Sequence, residues 1–145
     1  MSNEPPHGIP AFVTRVATSV RGASWMTYET FDSEIWPRDA IEWCYLVSPE
    51  VTGSHEFEMG LCRLHAGGVH LRHHHPVRAE MHFVVSGTAA VTIGDQHFRA
   101  NPQDAFYIPP GVTHGFTNDG DEVFELLFCY DLPPNLTRPD TVWDE

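Results

Sequence analysis

Short runs of β-branched and aromatic residues, separated every few residues by turn-forming residues, dominate this sequence. Nine runs have the composition and length of single β-strands: Ala40–Val47, Phe57–Ala66, Val69–His75, Glu80–Val85, Thr88–Ile93, His97–Ala100, Ala105–Ile108, His114–Asn118 and Val123–Tyr130. The intervals between these runs are too short for the helices that join parallel strands. We therefore predict an all-β protein with antiparallel strands, arranged as a sandwich or a barrel.

The flanks of this strand-rich region have a different pattern. We predict a barrel domain over residues 40–132, an N-terminal extension over 1–39 and an acidic, Pro-containing tail over 133–145. The extension can hold a strand at Ile9–Val16 and one short helix within Ser24–Ile35, and the tail is expected to be irregular. Within the barrel, Ile93–Gln96 has the Gly-Asp centre of a two-residue hairpin.

Composition excludes several classes of function. All eight basic residues are Arg, so Schiff-base chemistry, pyridoxal-phosphate anchoring and a P-loop are excluded, because each needs a lysine amine. A net charge of -12 argues against nucleic acid or an anionic membrane as a partner. Because the first residues have no basic region and no apolar run, no signal peptide is expected, and no apolar run reaches the length of a membrane span. The three widely spaced cysteines suggest reduced thiols. A cytoplasmic location is therefore expected.

Histidine is unusually frequent, with ten in 145 residues, and the side chains with ligand-like spacing lie between residues 67 and 118. Because side chains alternate along a strand, His73 and His75 share one face, while His70, Arg72 and His74 are predicted on the other. An antiparallel hairpin would bring Glu80 to the same space, and His114 follows the rigid turn at residues 109–111. Three imidazoles and a carboxylate suit a divalent transition metal. The alternative is that the three consecutive histidines are a chance cluster or an adventitious metal site.

The region resembles the cupin superfamily. The first cupin motif, G-x5-H-x-H-x4-E-x6-G, is matched without a gap, and the second, G-x5-P-x-G-x2-H-x3-N, is matched except that Gln103 replaces the leading glycine. The matching positions are Gly67, His73, His75, Glu80 and Gly87, followed by Pro109, Gly111, His114 and Asn118. The match implies that Gln103 affects only the shape of its own turn.

The resemblance implies an antiparallel jelly-roll β-barrel that is often a homodimer. It also implies one divalent transition metal per chain, Fe, Mn, Ni, Co or Zn, bound by His73, His75, Glu80 and His114. Gly67, Gly87 and Gly111 are expected at turns. Asn118 is expected to stabilise a turn by hydrogen bonds and not to bind the metal.

His82 is the predicted catalytic residue. It lies two residues after Glu80, so both side chains should face the cavity, where a histidine can act as a general acid or base. The alternatives are that His82 orients a ligand or is simply packed. Weaker candidates for contact with a substrate are Tyr45, His65, Tyr107, Tyr130, Arg63 and Arg72.

Three functions are compatible with these residues. The first is a mononuclear metalloenzyme that acts on a small polar or carboxylate-bearing metabolite, by dioxygenase-like or by lyase or isomerase chemistry. The second is a metal-dependent cupin that binds or senses a small molecule without turnover. The third is a cupin whose metal is only structural. The sequence does not choose the substrate or the metal.

Overall fold

A computed structural model describes Thr14 and residues 25–145. A 3-10 helix spans Tyr28–Thr30, and one short α-helix, α1, spans Pro49–Thr52. The strands are β1 (Glu42–Val47), β2 (Phe57–Leu64), β3 (Val69–His74), β4 (Glu80–Ser86), β5 (Ala89–Ile93), β6 (Gln96–Ala100), β7 (Ala105–Ile108), β8 (His114–Thr117), β9 (Phe124–Asp131) and β10 (Val142–Trp143). No helix among the described residues has the length and hydrophobicity needed to cross a bilayer.

The strands form two five-stranded sheets. One has the order β1-β2-β9-β4-β7 and the other has the order β10-β3-β8-β5-β6, and every strand pair is antiparallel. Strands that follow one another therefore often lie in opposite sheets, as in a jelly roll. The all-β antiparallel prediction is confirmed.

Alternation of buried and exposed residues along the strands places the core between the two sheets. On β9, Phe124, Leu126, Phe128 and Tyr130 are buried, and the residues between them are partly exposed. Val91 on β5 and Phe116 on β8 belong to the same cluster from the facing sheet. The apolar core fills one part of the interior, and the polar site described below fills another.

The flanking segments differ in part from expectation. The predicted strand at Ile9–Val16 falls outside the described residues apart from Thr14, and the 3-10 helix is the helical element found within 25–35. The tail, expected to be irregular, contributes β10, which pairs with β3 at His73 and His74. The hairpin is confirmed, since Ile93 and Gln96 are paired in register.

Two turns show how the motif residues act. Gly87 has φ +75°, and a Cβ there would lie 2.3 Å from the Val123 carbonyl oxygen, so no other residue fits without a shift of the backbone. The buried Asn118 side chain donates to the carbonyls of Leu64 and Glu122 at 2.8 and 2.7 Å. The prediction that Asn118 stabilises a turn is confirmed.

Gln103 stands where the motif has its leading glycine, and its backbone is in the left-handed conformation that favours glycine. Its φ is +72°, while its backbone N–H still donates to the Val84 carbonyl at 2.9 Å. A side chain in this conformation brings a penalty of about 1–2 kcal/mol.

Substitution Gln103→Gly should raise the free energy of unfolding by about 0.5–1 kcal/mol, because relief of the left-handed penalty exceeds the extra chain entropy of glycine. Thermal unfolding should show a rise in Tm of about 1–4 °C. The matched control is Gln96→Gly, at an exposed strand position, which should lower stability by about 0.5–1 kcal/mol. A loss of stability in both variants would show that Gln103 is not strained.

Candidate metal centre

Four side chains with ligand chemistry meet in the interior from both sheets. His73 lies on β3, His75 directly follows it, and His114 begins β8. Glu80 begins β4 in the facing sheet. The exposed fractions of these residues are 3%, 6%, 1% and 6%, in the order named. All four are therefore removed from bulk water.

The distances between these groups are those of a compact cluster. His73, His75 and His114 each have one ring nitrogen within 4.8 Å of a ring nitrogen of the other two. Glu80 Oε1 lies 2.9 Å from His75 Nε2, and Glu80 Oε2 lies 3.4 Å from His114 Nε2. His73 and His114 are also direct neighbours in the pairing of β3 with β8, with ring centres 4.3 Å apart.

Backbone carbonyls orient two of the imidazoles. His73 Nδ1 lies 2.7 Å from the Leu71 carbonyl oxygen, and His114 Nδ1 lies 3.0 Å from the Val112 carbonyl oxygen. A carbonyl only accepts, so each Nδ1 carries the proton and each Nε2 keeps its lone pair. The buried His114 Nε2 has no hydrogen-bond partner among the described residues. Such an orphaned acceptor in the interior is costly unless something binds it.

The electrostatics favour a neutral His73 imidazole beside an ionised Glu80 carboxylate. Burial lowers the pKa of His73 well below its usual range, and the nearby imidazoles of His70, His114 and His75 lower it further. Burial alone would raise the pKa of Glu80, but the close imidazoles of His114, His75 and His82 outweigh it and hold that pKa well below its usual range. These are the protonation states that a metal requires of its ligands.

The structure corrects the route by which Glu80 reaches the site. The expected hairpin of β3 with β4 is wrong, because β3 pairs with β8 and β10, whereas β4 pairs with β7 and β9. Glu80 instead faces the histidines across the interior from the opposite sheet. The convergence therefore depends on the jelly-roll topology.

Strict alternation also fails at His70. The register of β3 against β8 shifts between His70 and His73, and His70 lines the cavity with its ring centre 4.4 Å from that of His73. The prediction that His70 faces the opposite side is therefore wrong. Arg72 and His74 do face outwards, towards Glu145 and Asp144 respectively.

His82 lies beside Glu80, as strand alternation predicts. It is 5% exposed, and its Nε2 is 2.8 Å from Glu80 Oε2. Its Nδ1 is buried without a hydrogen-bond partner among the described residues. Burial lowers the pKa of His82, and Glu80 partly opposes this effect. The contact suits a residue that positions Glu80, and a catalytic role for His82 stays a prediction.

The weaker candidates divide into two groups. Tyr45 and Tyr130 line the cavity, and their hydroxyl oxygens are 3.4 Å apart. Tyr107 is 60% exposed, and Arg63 and His65 both bind Glu42, at 2.6 and 3.0 Å. Arg72 binds Glu145 on the outside of the sheet. The last four are therefore not brought to the site.

Sequence reasoning missed a buried charged group beside His75. Arg78 is 5% exposed, and its NH2 lies 3.2 Å from His75 Nδ1. Asp140 approaches Arg78 Nε at 2.5 Å, while the 2% exposed Glu58 accepts a 2.7 Å hydrogen bond from Arg138. The sequence signal for Arg78 is its position two residues before Glu80, which places it close to the predicted ligand. Nothing in the sequence pattern linked residues 138–140 to the site.

The site forms one end of a cavity of about 1000 Å³. Aromatic rings make much of the remaining wall: Tyr28, Phe31, Trp43, Tyr45, Phe116, Phe128 and Tyr130. Several pack on one another, such as Tyr28 on Trp43 with ring centres 5.0 Å apart. A large, mostly apolar cavity with a few convergent polar groups is typical of a small-molecule site.

The donor set fits a divalent transition metal. Three imidazoles and one carboxylate would supply nitrogen and oxygen ligands, and two further positions would stay open on an octahedral ion. The orphaned His114 Nε2 and the oriented His73 Nε2 are consistent with this fit. This set of ligands does not distinguish among Fe, Mn, Ni, Co and Zn.

Comparisons with known proteins agree with the fold. Residues 60–130 match the cupin domain family. The chain is 30% identical over 94 residues to polyketide synthase CurC of Streptomyces cyaneus, covering 65% of this chain and 60% of that protein. It is 49% identical over 55 residues to xanthan biosynthesis protein XanB of Xanthomonas campestris pv. campestris (strain B100), covering 38% of this chain and 11% of XanB.

Solved structures show the same architecture. A predicted oxalate decarboxylase from Thermotoga maritima superposes with a TM-score of 0.58 at 19% identity, covering 64% of this chain and 81% of that one. The two facing sheets and the buried histidine cluster define a jelly-roll protein with a metal-type site. The chain belongs to the cupin superfamily. The match in sequence spans only part of the curated relatives, so their activities are not transferred.

A buried carboxylate beneath the site should be important for stability. Asp39 is 0% exposed and accepts from the backbone N–H groups of Ile41 and Leu71, while His70 Nδ1 lies 2.7 Å away. Asp39→Ala should lower the free energy of unfolding by about 2–4 kcal/mol, because it leaves these buried groups unpaired. Urea denaturation measures the change.

The control for that variant is Asp144→Ala, since Asp144 also contacts a histidine, His74 Nδ1 at 2.9 Å, but on the surface. It should cost about 1 kcal/mol or less. Equal losses in the two variants would contradict the structural importance of Asp39.

Proposed function

We propose that the chain is a mononuclear metal-dependent enzyme whose substrate, a small metabolite, binds in the aromatic cavity beside His73, His75, Glu80 and His114. The observation that supports this most strongly is the orphaned, buried Nε2 of His114 next to an ionised Glu80. A cluster of this kind is costly without a cation, because it gathers buried lone pairs and negative charge. A divalent transition ion would supply Lewis-acid, hydroxide-generating or redox chemistry.

The protein's own groups provide orientation and exclusion of water. Leu71 and Val112 carbonyls fix the tautomers of two histidines, and His82 holds one oxygen of Glu80. The aromatic wall removes water from a ligand, which strengthens every electrostatic contact inside the cavity. His82 and the hydroxyls of Tyr45 and Tyr130 are available beside the ligand to hold or move a proton.

The relatives' names describe different substrates and do not select one. Xanthan biosynthesis, a polyketide synthase and a predicted oxalate decarboxylase share little chemistry. Experiments with and without oxygen therefore distinguish the two kinds of reaction. Oxygen uptake with substrate supports a dioxygenase-like reaction, and turnover without oxygen supports a lyase or isomerase reaction. A ligand that raises Tm without any turnover would instead favour the binding or sensing function. The homodimer and the cytoplasmic location stay predictions.

Metal binding should be stoichiometric and stabilising. Elemental analysis of the purified protein should give about one divalent transition ion per chain, and at 100 times its Kd the ion should add about 2.7 kcal/mol of stability. Removal by a chelator should then lower Tm by about 5–11 °C. His73→Ala should abolish both the metal content and the chelator effect.

The control is His97→Ala, which changes an exposed histidine on β6 and should keep both. Protein that neither holds nor takes up an ion at micromolar concentration, and whose Tm does not respond to a chelator, would contradict the proposed function.

His82→Gln separates the two roles considered for His82. The amide can still donate a hydrogen bond to Glu80, but it cannot transfer a proton near neutral pH. If His82 is an acid or base, the variant should retain its metal and lose about 10²–10⁴-fold in turnover. Metal content and turnover are measured separately. Loss of the metal together with activity would count against direct proton transfer and favour the positioning role.

A further inference from the structure

Arg78 is a buried cation on the wall of the cavity. It is 5% exposed, and its guanidinium carbon lies 3.6 Å above the centre of the Tyr130 ring. It reaches the same end of the cavity as the histidine cluster, with NH2 3.2 Å from His75 Nδ1. A guanidinium carries five N–H donors and does not lose its charge in a protein. Because a buried charge is costly without a counter-charge, Arg78 needs an anionic partner.

The partners that Arg78 has among the described residues are incomplete. Asp140 Oδ2 is 2.5 Å from Nε, but the pair lacks hydrogen-bond geometry, and both atoms are without a hydrogen-bond partner there. NH1 is likewise unpartnered, since Glu58 Oε2 is 4.0 Å away. The other oxygen of Glu58 is bound by Arg138 at 2.7 Å. Arg78 thus has a neutralising charge close by without the directed bonds that a carboxylate can give.

Asp140 reaches Arg78 from the C-terminal segment, which joins the barrel through the short strand β10. Residues 138–141 line the cavity, and the chain after them is held by the two pairs of β10 with β3. Side chains of this segment also contact buried groups, since Arg138 binds Glu58 and the Trp143 ring lies 5.5 Å from that of His73. At the surface, Asp144 contacts Thr113 and Glu145 contacts Arg72. Replacement of Asp140 at Arg78 therefore concerns the short stretch between Arg138 and β10 and leaves the two sheets paired.

We infer that Arg78 is the anchor for a carboxylate of the ligand, and that Asp140 occupies this position until the ligand replaces it. Exchange of one carboxylate for another keeps the charge around Arg78 balanced, whereas an additional anion would be buried beside Asp140, Glu58 and Glu80 without compensation. This inference rests on the proposed function in one respect, since it takes the ligand of Arg78 to be the substrate of that function.

The rest of the cavity specifies the remainder of the ligand. Beyond Arg78 the wall carries Tyr28, Trp43, Tyr45 and Phe128, whose rings can pack on an apolar or aromatic body. The chemical class is therefore a carboxylic acid with an apolar or aromatic body, held by its carboxylate next to the metal-type site.

The test compares an acid with its neutral amide. Phenylacetate and phenylacetamide have the same ring and differ in charge, and calorimetry gives their Kd for the protein as purified. Arg78→Gln should weaken phenylacetate binding about tenfold or more and leave phenylacetamide within about twofold. Asp140→Asn should strengthen phenylacetate binding several-fold, because the competing charge is gone. Phenylacetate should also increase hydrogen exchange in residues 138–143.

Arg63→Gln is the matched control, because Arg63 is a partly buried arginine bound to Glu42 and does not line the cavity. It should bind phenylacetate as the unmodified protein does. Equal phenylacetate affinity in Arg78→Gln and unmodified protein would overturn the inference. If Arg78→Gln does not fold, Asp140→Asn decides, and phenylacetate affinity that is unchanged, reduced or undetectable in that variant overturns it.

A second arm keeps this inference separate from the proposed function. Metal-stripped protein should still prefer phenylacetate to phenylacetamide, and Arg78→Gln should abolish that preference. A preference that disappears with the metal and does not depend on Arg78 would assign the carboxylate to the metal and overturn the anchor. Protein that never holds a metal but shows the Arg78-dependent preference would overturn the proposed function alone.

Discussion

The buried carboxylate of Glu80 is the group on which the arrangement of the interior depends. It is 6% exposed and would be costly as an ion if it had no partners. His75, which directly follows β3, approaches Glu80 Oε1 at 2.9 Å and so connects the two sheets, while His82, on β4 itself, approaches Glu80 Oε2 at 2.8 Å. A cation at this place would satisfy both the carboxylate and the orphaned His114 nitrogen. One bound cation would therefore stabilise the polar end of the interior and also supply its chemistry.

The apolar part of the interior has a complementary role. Its residues, such as Val84, Phe116 and Leu126, hold the two sheets at a fixed separation next to the polar cluster. Close packing of this core fixes the strands that carry His73, His114 and Glu80, and His75 directly follows one of them. The polar cluster and some residues of the apolar core, such as Phe116, line the same cavity. A ligand that enters it therefore meets an apolar wall and a charged end at the same time.

Much of this arrangement was predictable from local patterns. Turn residues and β-rich runs predicted the strands, and strand alternation predicted that Glu80 and His82 face the same side. What failed depended on long-range topology. The bulge that turns His70 into the cavity, and the placement of β3 and β4 in opposite sheets, follow from strand pairings that no local pattern encodes. Asp140 reaches Arg78 from 62 residues away in sequence, through a tail whose composition predicted no structure.

Metal binding by His73, His75, Glu80 and His114 together can be tested by X-ray diffraction from crystals of the purified protein. Data are collected at energies above and below the absorption edge of the metal found by elemental analysis. We expect a single strong anomalous peak about 2.0–2.2 Å from one nitrogen of each histidine and from a Glu80 oxygen. Absence of a peak there in protein soaked with the metal, or a peak only at exposed histidines such as His74 or His97, would contradict it.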